Sequence, residues 1–365
     1  MNFIQANARK VIIVWVLFLI GFYLVVGYSS GSKLYTNKIE SREREEERLD
    51  PDKTEKGKTA VDFTQLDSTN NYKKVYTGIY VDRIIEISTK ATGWTVDFYV
   101  WFKWQSDKIH PGETFQVIDG EITSRNKVDE ATIDGQHYAL YRVTARITKF
   151  FNIVRYPLDS HLLTIRIEDG DHPWQDLRYV PDEHGAEYSS RVQVPGYRLN
   201  EAKIISKPHA YKTSRGDPRF STEHQAVYSQ ITYGIRIDRP DLGLYFKMSQ
   251  GLFASVSIAF LAFLFGPISK ERISLGVGAF FASVASSYVN LSELPGTGMV
   301  AMVDMENGLA MITIFLTLLG SVISSHLARD TSQLGMTRKF DAITLLVFVV
   351  GFFSVNGVMA FSASI

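Results

Sequence analysis

A chain with five uncharged apolar runs, each near the length that crosses a bilayer, has few ways to fold in water. The runs are Val11–Tyr28, Met248–Gly266, Ile273–Leu291, Gly308–Ser325 and Ala342–Ile365. A hydrocarbon core about 30 Å thick takes about 20 apolar residues in helical form, and four such runs joined by short connectors leave no polar face for water. The charges agree with this division. Of 39 basic and 39 acidic residues, the last 124 positions hold only six of each, while residues 29–241 carry nearly all the rest. A polytopic membrane part and a polar domain follow.

The absence of cysteine excludes a disulfide framework, a zinc-thiolate site, a redox dithiol and a cysteine nucleophile. Zero formal net charge argues against a nucleic-acid partner, because neutralising phosphates takes a basic surface. Enzyme motifs are also missing: there is no paired metal-binding histidine motif, no Gly-x-Ser-x-Gly elbow and no phosphate loop opening a helix. Glu168-Asp169-Gly170-Asp171-His172 is the nearest approach to a metal cluster. Its spacing is too tight for a calcium loop and reads as an acidic turn leaving a strand. No enzyme activity, metal or cofactor is expected.

Lys and Arg in the short loops set the orientation. Arg9 and Lys10 precede the first run, Lys270 and Arg272 lie between the second and third, and Arg329, Arg338 and Lys339 between the fourth and fifth. Ser292–Asn307 has only Glu293, Asp304 and Glu306. The expected topology places residues 1–10 in the cytosol and 29–241 outside. Val11–Tyr28 is longer than a usual signal core and lacks a clean cleavage site, so it reads as an uncleaved anchor in preference to a removed signal. Residues 29–74, with the charged stretch Lys38–Lys58, read as a solvated spacer of possible helical character.

From Val75 the pattern turns to β-branched and aromatic residues with a period near two. Ile79–Ile87 and Trp94–Trp104 read as strands joined at Thr89–Gly93. Tyr138–Thr148, His161–Glu168, Gln193–Asn200, Lys203–Ser206 and Val227–Asp238 are further strands. An antiparallel sandwich over 75–241, followed by four membrane helices over 242–365, is the expected architecture.

Local motifs make this plan resemble the pentameric ligand-gated ion channels, the Cys-loop receptor superfamily, in its prokaryotic, cysteine-free form. Val96–Asp107 is similar to the family's second-strand segment ending in Trp and Asp. Phe151–Asp159 is similar to its aromatic-Pro-x-Asp loop without the flanking cysteines. Lys270-Glu271-Arg272-Ile273-Ser274-Leu275-Gly276-Val277 resembles the start of the pore helix, and Leu294-Pro295 its end. Departures accompany the match: Met248–Gly266 lacks the family's first-span proline, the Trp-x-Pro-Asp segment after the second strand is missing, and the amino-terminal run and charged spacer lie outside the common plan. The resemblance implies an immunoglobulin-like sandwich, a four-helix channel domain with an extra amino-terminal helix, and a homopentamer in a bacterial inner membrane.

Ser274, Gly278, Phe281, Ala285, Tyr288 and Ser292 follow one another at intervals of four and three, which puts them on one helical face. Small and polar residues in a membrane helix serve a packing seam or a wet lumen. The resemblance favours the lumen. Five copies would then make a polar ring at Ser274, an apolar constriction at Phe281 and a carboxylate ring at Glu271, where cation-selective members carry theirs. Lys270 and Arg272 beside Glu271 leave open which charge faces the ions.

By the same resemblance, Tyr156, Pro157, Asp159, Arg236 or Arg239, and Pro295 belong to a gating junction, with Asp159 paired to one of the arginines. An unidentified small-molecule ligand would sit near Tyr99 or Trp101 on one side and Trp174, Tyr211 or Phe220 on the other. The expected partners are membrane lipid, sister subunits, inorganic cations and that ligand. A cation channel opened by a periplasmic ligand or by pH is the first functional expectation. The alternative is a non-conducting, membrane-anchored sensor or assembly subunit of channel-like fold, which the missing first-span proline and the bulky Phe280, Phe281 and Tyr288 support.

Overall fold

The computed structural model describes residues 7–55, 58–61, 71–217, 225–239, 242–294 and 298–364. Two compact units divide the chain: one contains residues 1–39, 152–159 and 241–365, the other 40–151 and 160–240. Each is described by itself.

The second unit is built on two sheets. Strands β1 (Lys73–Ser88), β2 (Gly93–Trp104), β4 (Gly120–Ile133), β5 (Gln136–Thr148) and β7 (Leu177–Tyr188) form one sheet in the order β4-β5-β2-β1-β7. Strands β3 (Phe115–Val117), β6 (Ser160–Asp169), β8 (Arg198–Ala210) and β9 (Val227–Asp238) form the other in the order β3-β6-β9-β8. Phe102 of β2 meets Phe115 of β3 at 5.3 Å between ring centroids, and the Ser229 hydroxyl of β9 accepts from the Tyr179 backbone amide of β7 at 2.8 Å. The inward residues Val96, Phe98, Val100 and Phe102 alternate along β2 as a half-buried strand requires.

Several expectations are corrected. The five-stranded sheet is mixed, because β1 runs parallel to β7, pairing Lys73 with Leu177, whereas the pairings of the four-stranded sheet are all antiparallel. Gln193–Tyr197 is not a strand, since Val194 bridges only to Tyr197 around Gly196 at φ +77°, whereas the rest of the expected Gln193–Asn200 strand and the expected Lys203–Ser206 strand are one strand, β8, which begins at Arg198. Strands β3, β4 and β7 were not anticipated. A four-residue helix, α2 (Pro111–Thr114), also lies in this unit. Strand β4 is exposed on nearly every residue, so it carries no period-two signal, and it turns into β5 through Asp134 and Gly135, both at positive φ.

The charged spacer is not solvated along its length. Helix α1 runs unbroken from Ala8 to Arg48, its polar half laced by Arg42–Glu46 and Arg44–Glu40 pairs. Pro51 follows the helix end. The carbonyls of Glu47 and Arg48 accept from Lys207 Nζ at 3.2 and 3.1 Å, which satisfies groups that helix geometry leaves open. Leu49 packs on Gly234, where a Cβ would stand 2.8 Å from Leu49 Cδ2. Glu45 pairs with Arg236 at 3.0 Å and Glu55 with Arg166 at 3.3 Å. Strand β9 is consequently buried at every residue from Val227 to Ile235, not at alternate ones.

The other unit holds α1 up to Ile39 together with α3 (Gly243–Leu261), α4 (Glu271–Glu293), α5 (Met302–Leu327) and α6 (Leu334–Ser364). Among the described residues, five helices are long and apolar enough to cross a membrane. Asn290 Nδ2 reaches Met248 O at 3.4 Å, and Arg272 Nη1 reaches Ser324 Oγ at 3.0 Å, so α4 runs antiparallel to α3 and to α5. Helix α1 belongs to this core. Trp15, Leu19 and Tyr23 are buried, the Tyr23 hydroxyl bonds Thr313 Oγ1 at 3.1 Å, and a side chain at Gly351 of α6 would overlap the Tyr23 ring.

Candidate functional site

Helix α4 separates its residues into two faces at helical spacing. Arg272, Gly276, Ala279, Ser283, Ser287 and Asn290 are buried against the other helices. Glu271, Ser274, Gly278, Phe281, Ala285 and Tyr288 are exposed. Phe281 and Tyr288 leave 68% and 71% of their surfaces open, too much apolar area to lack a covering medium. Ser292 lies in the last turn of α4 with its side chain outside the described residues, and Pro295 lies outside them altogether.

The start of α4 sorts its three charges. Arg272 is 1% exposed and points into the helical unit, where Nη2 and Nη1 meet Asp341 Oδ2 and Oδ1 at 2.6 and 3.3 Å. The same guanidinium donates to Ser324 Oγ and to the Phe265 carbonyl. A buried charge needs such complete pairing to be tolerated. Lys270 and Glu271 stay exposed, and Glu271 accepts from the Ser269 hydroxyl. With Arg272 neutralised from within, the exposed start of this helix carries one charge of each sign.

Sequence reasoning missed two carboxylates in this unit. Asp341 is the partner of Arg272, and Glu306 is fully buried, accepting from Ser249 Oγ at 2.8 Å. Both are among the six acids of the last 124 residues, and each lies within two residues of an apolar run. That rarity is the available signal, since an ionisable group among membrane helices carries a desolvation penalty unless something retains it.

The loop expected at a junction groups with the helices. Asn152–Asp159 belongs to the helical unit, Val154 and Leu158 join its apolar core, and the Tyr156–Pro157 bond is cis. Tyr156 and Asp159 are buried, and Arg155 Nη1 donates to the Ala363 carbonyl near the end of α6 at 3.1 Å. In the sheet unit, Arg236 takes Glu45 as its partner. Arg239 lies 4.0 Å from the Tyr197 ring centroid and donates to that hydroxyl at 2.9 Å. Neither arginine had an anticipated partner in α1 or at Tyr197.

The aromatic residues singled out for a ligand divide between the sheets. Tyr99 and Trp101 sit on β2; Trp101 Nε1 donates to Asp182 Oδ2 at 2.7 Å, and Arg142 lies 5.5 Å over the Tyr99 ring. Burial alone would raise the Asp97 carboxyl, but hydrogen bonds from Arg142 and Arg83 hold it below the usual carboxylate range. Trp174 and Tyr211 come together, because their amides bond the carbonyls of Val227 and Ala226 at the start of β9. Each carries an arginine of this chain on its ring, Arg178 at 4.6 Å and Arg215 at 4.7 Å. The Tyr211 hydroxyl donates to buried Glu168 at 2.8 Å, and burial pushes its pKa up. Phe220 lies outside the described residues. Asp169 accepts from the amides of Asp171 and His172, so the acidic motif is a turn, and no metal-holding group exists among the described residues.

Compared with known proteins, the chain matches no family model, and no curated protein is similar to it.

Proposed function

We propose that this chain is one subunit of a homopentameric, cation-conducting ligand-gated channel of the Cys-loop receptor type in a bacterial inner membrane, gated by a periplasmic ligand or by pH. In this reading the two sheets form an immunoglobulin-like sandwich outside the membrane, α3 to α6 form the four-helix channel domain and α1 is an added fifth helix. The observation that carries it is the two-faced α4. Its interior face is spent on its own subunit, and the face left over holds Glu271, Ser274, Gly278, Phe281, Ala285 and Tyr288 in one line. Five such faces around an axis give a polar inner ring, a carboxylate mouth and a ring of phenyl groups that shuts by dewetting. Burial of Arg272 against Asp341 favours cations, since it removes one of the two positive charges beside Glu271.

A second reading, a non-conducting sensor of the same fold, draws on the exposed bulk of Phe281 and Tyr288. Two measurements separate them. Purified protein in a planar bilayer is expected to pass cation-biased currents. Single cysteines placed in this cysteine-free chain are expected to react with a water-soluble thiol reagent at Ser274, Gly278 and Ala285 and not at Gly276, Ala279 or Ser283. Silence under every ligand and pH, with unreactive positions on both faces, overturns conduction. A particle with one subunit overturns both the pore and the pentamer.

A further inference from the structure

Helix α1 runs parallel to α6 at a steady register. Tyr23 lies on Gly351, and Gly27 on Val355, a difference of 328 residue numbers in each case (351 − 23 and 355 − 27). It runs antiparallel to α5, with Trp15 on Gly320 and Tyr23 on Thr313. Followed back toward the amino terminus, this register brings Arg9 and Lys10 level with Arg338 on α6 and with the carboxyl end of α5. All four of Arg9, Lys10, Arg338 and Lys339 are exposed. None forms an ion pair among the described residues. The nearby acids are engaged elsewhere: Asp341 holds Arg272, and Asp330 accepts from Ser332 and Gln333. Further along the same helices the exposed surface is apolar, with Ile13, Val14 and Leu17 on α1 and Ile343 and Leu346 on α6.

We infer that the adjoining ends of α1, α5 and α6 bind the phosphate headgroup of an anionic phospholipid, with Arg9, Lys10, Arg338 and Lys339 as its cationic side chains. Four unneutralised cations at the end of an apolar helix surface match an amphiphile with a negative head, and match a free inorganic anion less well because that would leave the apolar surface below unused. The register makes this a shared site: α1 supplies two cations and α6 the other two, so a bound headgroup links the added helix to the rest of the unit. A lipid bearing two phosphates uses all four. The inference rests on the membrane reading of the five helices and is independent of whether the protein conducts.

The test uses the full chain in detergent with diphosphatidylglycerol, phosphatidylglycerol and phosphatidylcholine, scored by native mass spectrometry for retained lipid and by the thermal midpoint. Wild type is expected to retain the two anionic lipids over phosphatidylcholine by about tenfold or more and to gain thermal stability from them. The variant R9Q/K10Q/R338Q/K339Q is expected to lose both effects, while R42Q/R44Q, at the other end of α1, keeps them. If the quadruple variant does not fold, R9Q/K10Q and R338Q/K339Q are each expected to lose part of the preference. Equal retention of all three lipids by wild type, undiminished retention by the variants, or an equal thermal gain from inorganic phosphate alone overturns the inference. Membrane fractionation of the expressed chain tests the underlying reading separately.

Discussion

Arg272 and Asp341 meet side-on, two nitrogens to two oxygens, inside a helical unit where neither reaches solvent. The pairing anchors the first turn of α4 to α6 and fixes which way Glu271 faces. Removing one partner leaves an uncompensated buried charge. Asp341→Ala is expected to destabilise the protein by about 3–5 kcal/mol, read as a lowered unfolding midpoint in detergent. The double variant R272M/D341L is expected to recover most of that loss, because two apolar groups leave no charge to solvate. A destabilisation in the double variant as large as in Asp341→Ala would refute this account of the pair.

Selectivity is expected to follow the exposed charges. In the proposed pore, Glu271→Gln weakens the cation preference and Lys270→Gln strengthens it, each moving the reversal potential measured across a salt gradient in opposite directions. A reversal potential indifferent to Glu271 would remove this residue from the ion path.

The constriction proposed at Phe281 carries its own prediction. Phe281→Ser replaces an apolar ring by a hydrated hydroxyl and is expected to raise basal current, whereas Phe280→Ser, on the flank of the helix, leaves it near wild type. Current recordings of the two variants side by side provide the check.

Lys207 closes the carboxyl end of α1 by donating to the carbonyls of Glu47 and Arg48. Lys207→Met is expected to cost about 1–2 kcal/mol of local stability, since both carbonyls lose their charged donor. Hydrogen exchange should quicken in residues 44–53 and stay unchanged across β5. Uniform quickening would show that the lysine acts globally and not as a cap.

Burial pushes Lys149 down to about 8, with the Arg48 and Arg166 charges adding to the effect and Glu45 opposing it. Its folded pKa is depressed, so between pH 8 and about 10.5 the unfolded chain binds a proton that the folded chain does not. Stability from this group therefore rises as pH rises through that window and is lowest below it. Lys149→Met is expected to stabilise the protein at pH 7 by about 1–2 kcal/mol, with the advantage shrinking toward pH 10. Thermal midpoints of wild type and variant across this range give the comparison. An advantage that grows with pH would contradict the sign.

The membrane helices were legible because hydrocarbon demands a run of fixed length, and strands β2, β5 and β6 because each buries enough β-branched and aromatic residues to leave a mark. Strand β4 was not legible, since an edge strand open on both faces has no reason to alternate. The docking of α1 on the four-stranded sheet was hidden for another reason: Glu45 finds Arg236 across 191 residues and Glu55 finds Arg166 across 111, and local charge patterns carry no trace of partners so distant. At the site, helical spacing alone grouped the exposed face of α4. It did not sort Lys270, Glu271 and Arg272, because the deciding partner, Asp341, lies 69 residues away.

Leu49 seated on the bare backbone of Gly234 has a bearing on how the protein is made. The segment around Leu49 leaves the ribosome long before β8 and β9 exist, and it waits through most of synthesis for the surface it will cover. A chain shortened at its beginning would complete the second sheet with Arg166, Arg236 and the Gly234 groove facing water, ready to adhere to whatever arrives first. Shortened forms are thus headed for aggregation during biogenesis, whatever activity the finished assembly has.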